Sequence, residues 1–336
     1  MAAAATASPL AAGSWNFGEL AAKLGGASWE MEGFAKDNPI GETTGGAGGK
    51  EIVVTTAEEL VAAATGDGPA VIRVRGDISL SERLNISSDK TLIGVGTTAH
   101  IHENGLNVRD ADNVIIRNIK VSEIQGDDGL TIWNSTRVWV DHNEFTDDII
   151  KGPDFYDGAV DIVRGSDWVT LSWNFFHNHY KTNLIGNSDA LRDVDSGHLH
   201  VTLHHNRYEN CGTRGPAGRF GHQHVYNNYY EDFHYQVIHS RSDNQMLVEG
   251  NVFRGDTAEA LSTYGLVIPE DSPNTCTCGD EEIDGFVNLG AKNDWGSAGV
   301  NITQEGNFTE APYDYKLSPL AFVKPLAKLA AGVGKI

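Results

Sequence analysis

Three aspartates and three cations stand out in this 336-residue chain for their spacing. Asp128 opens the run DGLTI (128–132), and Asp157 and Asp161 lie in the related run DGAVDIV (157–163). If both runs are strands on neighbouring turns of the chain, about 4.8 Å separates them. Carboxylates at matching places then repel unless a cation sits between them. Asp157 and Asp161 share one face of a strand, but fully extended they would stand about 13 Å apart, too far to share one ion. A common site therefore needs Asp157 to fold back from a loop. Oxygen ligands with no cysteine nearby favour Ca²⁺ over Zn²⁺. The plain alternative is a set of solvated carboxylates at strand starts.

The cations follow in order. Lys181 lies in HYKTNLIG, and Arg214 and Arg219 frame RGPAGR, each just after a strand-like run. All three are expected to leave the same side of successive turns as the aspartates. With 25 basic against 46 acidic residues and a net charge of −21, a local grouping of cations is conspicuous. It suits a cleft for an anionic ligand whose carboxylates a metal bridges. A structural salt-bridge network is the competing reading.

The elements that would position these groups recur. Val-x-Leu/Val-x-x-Asn-x-aromatic appears in VWVDHNEF (138–145), VTLSWNFF (169–176) and VTLHHNRY (201–208). Looser copies are HVYNNYY (224–230) and MLVEGNVF (246–253), and VIIRNIKV (114–121) has its Asn one place early. Spacings of 22 and 23 between Asn206, Asn228 and Asn251 are too short for a βαβ crossover and suit one coil of a parallel β-helix. The spacings of 31 and 32 between Asn143, Asn174 and Asn206 add loops on one side. Each Asn is expected to stack at a bend, its amide bonding the Asn of the next coil. TTAEELVAAATGDG (55–68) reads as a short helix with capping-box spacing at Thr56 and Glu59, covering the open end of the first coil. A last helix is expected from Pro325 to Gly332.

Bulk properties narrow the function. The negative charge argues against nucleic acid. No apolar run approaches the eighteen or so residues of a membrane span, and the alanine-rich start lacks a basic leader, which reads as a mature domain with an added initiator Met. Three cysteines (Cys211, Cys276, Cys278) are too few for a disulfide scaffold. Asn85, Asn134, Asn301 and Asn307 begin glycosylation triplets, which fits secretion from a eukaryote.

The run DGLTIWNSTRVWVDHNEF, with DGAVDIVRGSDWVTLSWNFFHNHYKTNLIG and HVTLHHNRYENCGTRGPAGRFGHQHVYNNYY, resembles the pectate lyases of polysaccharide lyase family 1. The match is clear over roughly residues 90–255, and weaker at TTGGAGGKEIVVTT and at the final GVGKI. The resemblance implies an all-β, right-handed parallel β-helix with a short N-terminal capping helix and long loops forming the cleft. It implies a secreted, monomeric enzyme that cleaves polygalacturonate (de-esterified pectin) by Ca²⁺-dependent β-elimination. Carried over by position, Asp128, Asp157 and Asp161 are calcium ligands and Asp127 a further one. Arg214 is the base that takes the C5 proton, and Lys181 and Arg219 hold substrate carboxylates. Asp141 and His142 fall in a motif beside the cleft that is not catalytic. Gly215 and the Ala217-Gly218 pair depart from bulkier or basic relatives, which leaves subsite preference open.

One domain is expected over 1–336: an arm and cap to about residue 70, coils over 71–265, then C-terminal loops and helix. Three other readings compete. A pectin lyase would act on methyl-esterified polymer with an aromatic cleft, for which Trp133, Trp139, Trp168 and Trp173 are the candidates. A polygalacturonase would hydrolyse with paired carboxylates such as those of GDD (126–128) and TDD (146–148). A silent polysaccharide-binding member of the fold would lack an intact base. TTGGAGGKE departs from a phosphate loop at Thr44 and Glu51. The His-x-His runs at 177–179, 198–200 and 222–224 lack an evident third zinc ligand.

Overall fold

The computed structural model describes residues 29–265 and 283–336. Ten strands, from Lys50–Val54 to Phe286–Leu289, stack in parallel as one ladder. Each turn of the chain then adds to a second ladder, through strands such as Lys120–Ser122 and Glu144–Thr146. A third ladder follows, through Leu106–Arg109, Leu130–Trp133 and Gly158–Val163. The long strand Phe175–Ile185 serves the second and third ladders in one piece. This is the parallel β-helix expected from the repeat.

Strand alternation explains the coil. In the first ladder Val138, Val169 and Val201 are in register and fully buried, as are Val140, Leu171 and Leu203. Each such side chain contributes about 1.5–3 kcal/mol relative to leaving it in water. The aromatic of the repeat pattern forms a second inner column. Phe145, Phe176, Tyr208, Tyr230 and Phe253 stack with ring centroids 5.3, 4.9, 4.7 and 4.4 Å apart.

The asparagine ladder is present and longer than expected. Asn143, Asn174, Asn206, Asn228 and Asn251 each donate from Nδ2 to the Oδ1 of the next, at 3.0–3.1 Å, and Asn293 closes the series. The residues before the first four, His142, Trp173, His205 and Asn227, have φ between 51° and 54°, and Gly250 before Asn251 has φ 64°. Such a left-handed bend costs a non-glycine residue about 1–2 kcal/mol, and the buried amide bonds offset it. Asn118, the early copy, sits at the bend itself and donates to the carbonyls of Gly94 and Gly96. Its ladder place is taken by the Ile119 N–H, which donates to Asn143.

The ends differ in detail from expectation. Helix α1 (Ala57–Thr65) is capped by Thr56 and buries Leu60 and Ala64 against the first coil. The Glu59 carboxylate reaches back to the Thr55 N–H. Paired strands begin at Lys50 and run to Asn301, beyond the 71–265 span. The outer strand is mostly exposed and lacks the buried alternation of the inner coils. Helix α2 runs Leu320–Ala330, so Pro325 lies inside it rather than at its start. Packing overrides the local breaker: Val323 and Ala327 press on Tyr229 and Val252, and Leu326 and Ala330 on Trp173. No helix among the described residues is long and apolar enough to cross a membrane.

Candidate active site

Four successive coils bring the chemistry-bearing residues to one side of the third ladder. Asp128 precedes strand Leu130–Trp133. Asp157 precedes, and Asp161 lies within, Gly158–Val163, whose Gly158 pairs with Lys181 on the next coil. Arg214 follows strand Arg207–Thr213 on the coil after that.

Gly158 is the pivot. Its N–H donates to Asp128 Oδ1 at 2.9 Å. A Cβ there would meet Asp161 Oδ1 and Asp128 Oδ1, both closer than 3.0 Å, so glycine is what lets the two carboxylates face each other. Burial raises the Asp128 carboxyl above its usual range, and Asp157 adds to this while the Thr131 hydroxyl and Arg83 oppose it. Burial pushes Asp161 up strongly, Asp128 and Asp157 push it further, and Arg214 pulls the other way. A buried and a half-buried carboxylate that disfavour each other's charge are what a hard divalent cation would relieve. The donor set therefore fits Ca²⁺. Asp157, which comes off a loop as the strand geometry required, is engaged by Lys181. The Lys181 Nζ lies 2.5 Å from Asp157 Oδ1 and 3.1 Å from Asp154 Oδ1. Accordingly the three aspartates do not offer oxygens all within 4.8 Å of one another.

Arg214 is held in a left-handed conformation, φ 67°. Its N–H donates to Gln236 O at 3.2 Å, and its carbonyl accepts from the Asn183 N–H at 2.6 Å. Gly215 behind it is required by packing, since a Cβ would meet the Phe233 ring at 2.8 Å. The Tyr230 hydroxyl of the aromatic column donates to Gly215 O at 2.8 Å, which ties the base of the site to the core. Backbone strain of this kind is held where the surroundings over-determine it.

Arg219, like Lys181, is drawn in by a carboxylate of its own chain. It is buried, its Nε 3.2 Å from Asp189 Oδ1 and its Nη1 donating to Gly186 O at 2.8 Å. The segment after the long strand, with Ser188 capping a short turn at Asp189–Leu191, carries the carboxylate that draws it in. One further cation was missed. Arg83 pairs with Asp127, donates to Asp128 O and Thr131 Oγ1, and lies 3.9 Å from Asp128 Oδ2. The signal was its place just before Leu84, since Leu84, Leu106, Leu130 and Val160 stand in one register column.

A family model for pectate lyase matches residues 3–335. The chain belongs to the pectate lyase family. It is accordingly a polysaccharide lyase. Pectate lyase A of Emericella nidulans is 36% identical over 309 residues, 91% of this chain and 88% of that protein. Probable pectate lyase B of Aspergillus terreus is 38% identical over 263 residues, 78% of this chain and 79% of its own. A pectate lyase from a Bacillus species, solved with trigalacturonate, superposes with TM-score 0.73 at 26% identity and covers 91% of this chain and 99% of its own.

Pectate lyase chemistry leaves several sequence candidates with structural roles. Asp141 and His142 are fully buried in the first ladder, where Asp141 accepts from Arg117, His142 and Ser172. Trp139 and Trp173 are buried, and Trp133 is sandwiched by Arg109 and Arg164 at 4.7 Å. Trp168 packs on Phe34 and His200. In TTGGAGGKE the N–H groups of Thr44 and Gly45 are spent on Asn113 Oδ1, not held for a phosphate. His179 pairs with Asp147, His200 with Asp167 and His224 with Glu249. Cys211 is a buried free thiol pushed up to about 12 by burial, and Cys276 and Cys278 lie outside the described residues.

Proposed function

We propose that this lyase cleaves de-esterified polygalacturonate by Ca²⁺-dependent β-elimination, with Arg214 as base. The observation that carries the reading is the meeting of Asp128 and Asp161 over Gly158, with Arg214 close enough to oppose the upward shift of Asp161. Asp128, Asp157 and Asp161 would hold the ion, with Asp127 as a further ligand once Arg83 releases it. Bound Ca²⁺ supplies positive charge at the C6 carboxylate of a galacturonate, which acidifies the neighbouring C5 hydrogen.

The chain's own residues do the rest. Lys181, freed from Asp157 as the site fills, grips a substrate carboxylate and adds positive charge where the enolate develops. Arg219, buried against Asp189, supports the wall next to that grip and contributes charge from behind. Arg214 removes the C5 proton, and the electron pair expels O4 to leave a 4,5-unsaturated end. A guanidine can accept that proton only when neutral, and free arginine has a pKa above about 12, so turnover should climb toward alkaline pH. The methyl-ester reading is disfavoured because none of the four tryptophans that it relied on is free to line the aspartates.

Secretion belongs to the same proposal, supported by a substrate found outside cells and by exposed Asn85, Asn134 and Asn307 in glycosylation triplets. The test is incubation with polygalacturonate at defined Ca²⁺. New reducing ends matched by ultraviolet absorbance support elimination, and equal cleavage in excess chelator would remove calcium from the mechanism.

A further inference from the structure

On the second ladder, three residues of neighbouring coils aim metal-ligating atoms at one point. Asp77 lies on strand Asp77–Ser79, and its parallel neighbour His100–His102 carries the other two, with Asp77 facing His100. Ligating atoms of the three all lie within 4.8 Å of one another. His100 Nδ1 is 2.6 Å from one Asp77 oxygen, and His102 Nε2 is 3.3 Å from the other. Ligands about 2.0–2.1 Å from a tetrahedral ion stand about 3.3 Å apart, so little movement would be needed.

Hydrogen bonding accounts for His100 but not for His102. His100 Nε2 bonds Ser122 Oγ at 2.7 Å, which fixes Nδ1 as the nitrogen facing Asp77. A partner of this kind orients a ligating imidazole. Both ring nitrogens of His102 are shut off from water and face carboxylates without a well-aligned hydrogen bond, Nε2 toward Asp77 and Nδ1 3.7 Å from Glu103. Leaving such a group unsatisfied costs about 1–3 kcal/mol. Glu103 and Glu123 close on the same ring from its other side, adding negative charge. A depression of about 430 Å³, lined by Glu103, Glu123 and Tyr156 among others, opens beside them.

We propose that Asp77, His100 and His102 form a second metal site, distinct from the aspartates of the cleft, for a late divalent transition ion such as Zn²⁺. Two imidazole nitrogens and a carboxylate suit Zn²⁺, Ni²⁺ or Cu²⁺, whereas Ca²⁺ takes six to eight oxygens. Because two adjacent coils supply the ligands, the ion clasps the N-terminal end of the solenoid and stabilises it. The site does not depend on the cleavage reaction.

The test uses tag-free, full-length protein saturated with Ca²⁺, so that the cleft is filled. Titration with Zn²⁺ by calorimetry should show one site per chain and raise Tm. His102→Ala should abolish the heat and the Tm shift. Asp77→Asn should weaken binding at least tenfold, and the Asp77 side chain is 68% exposed, so this variant is expected to fold even if the first does not. Visible absorption of bound Co²⁺ at tetrahedral intensity provides a second readout. No heat with wild-type protein, or unchanged affinity in folded Asp77→Asn, overturns the proposal.

Discussion

Replacing Asn174 by alanine tests whether the buried amide ladder holds the coils in phase. The Asn174 side chain donates to Val140 O at 2.9 Å and to Asn206 Oδ1 at 3.0 Å. Its Oδ1 accepts from the Asn143 N–H at 3.0 Å and from Asn143 Nδ2 at 3.1 Å. Truncation removes all four bonds in a fully buried site. Asn143 Nδ2 keeps Ile116 O, and Asn206 Oδ1 keeps the Asn174 N–H. The Val140 carbonyl and the Asn143 N–H lose these partners without access to water. At about 1 kcal/mol net per bond, and more for each group orphaned, the loss should be about 3–5 kcal/mol. Asn107→Ala is the matched control, because Asn107 donates to Asn85 on an exposed face, where about 1 kcal/mol or less is expected. Urea unfolding followed by circular dichroism measures both, with the slope m checked for constancy. If Asn174→Ala costs no more than the control, the ladder is a consequence of the coil geometry and not a cause of it.

Arg214→Lys should keep the fold and most substrate binding while losing about a hundred-fold or more in kcat. Steady-state kinetics on polygalacturonate checks this, and near-normal turnover would place the base elsewhere. Asp161→Asn should abolish calcium-restored activity yet leave Tm in chelator unchanged or higher, because burial already disfavours its carboxylate. A large Tm loss would mark Asp161 as structural. Glu249 is penalised by burial, but His224, the Ala291 N–H and Tyr315 outweigh this and bring it from 4.5 to about 2. Its folded-state value is lowered, so its stabilisation is present above about 4.5 and is lost as pH falls toward 2. Glu249→Gln should therefore flatten acid unfolding in that window, and an unchanged profile would refute the assignment.

What the sequence revealed of the fold follows from repetition. A pattern that places Val138, Val169 and Val201 in one column must recur in phase, and so must the asparagines and aromatics behind it. Asn293 escaped notice because 42 residues separate it from Asn251, which breaks the period. The first turn of helix α2 was hidden by Pro325, a breaker that packing on Trp173 and Tyr229 overrides. In the site, strand geometry alone required Asp157 to come off a loop. The inward turn of Arg219 was not legible, since it depends on Asp189 in a non-repeating excursion. Arg83 was missed because its partner Asp127 lies 44 residues away, and the only trace of it was its place before Leu84 in the register column of Leu106 and Leu130.

The most direct measurement is the ultraviolet absorbance of polygalacturonate during digestion, read together with reducing ends, in calcium and then in excess chelator. Elimination creates a conjugated, unsaturated uronate at each new non-reducing end, so the two signals should rise in proportion. Both should stop when chelator is added and resume when Ca²⁺ is restored, with Mg²⁺ a poor substitute because of its tighter geometry. Reducing ends without absorbance would mean hydrolysis, and undiminished absorbance in chelator would mean that Asp128, Asp157 and Asp161 serve some purpose other than holding calcium.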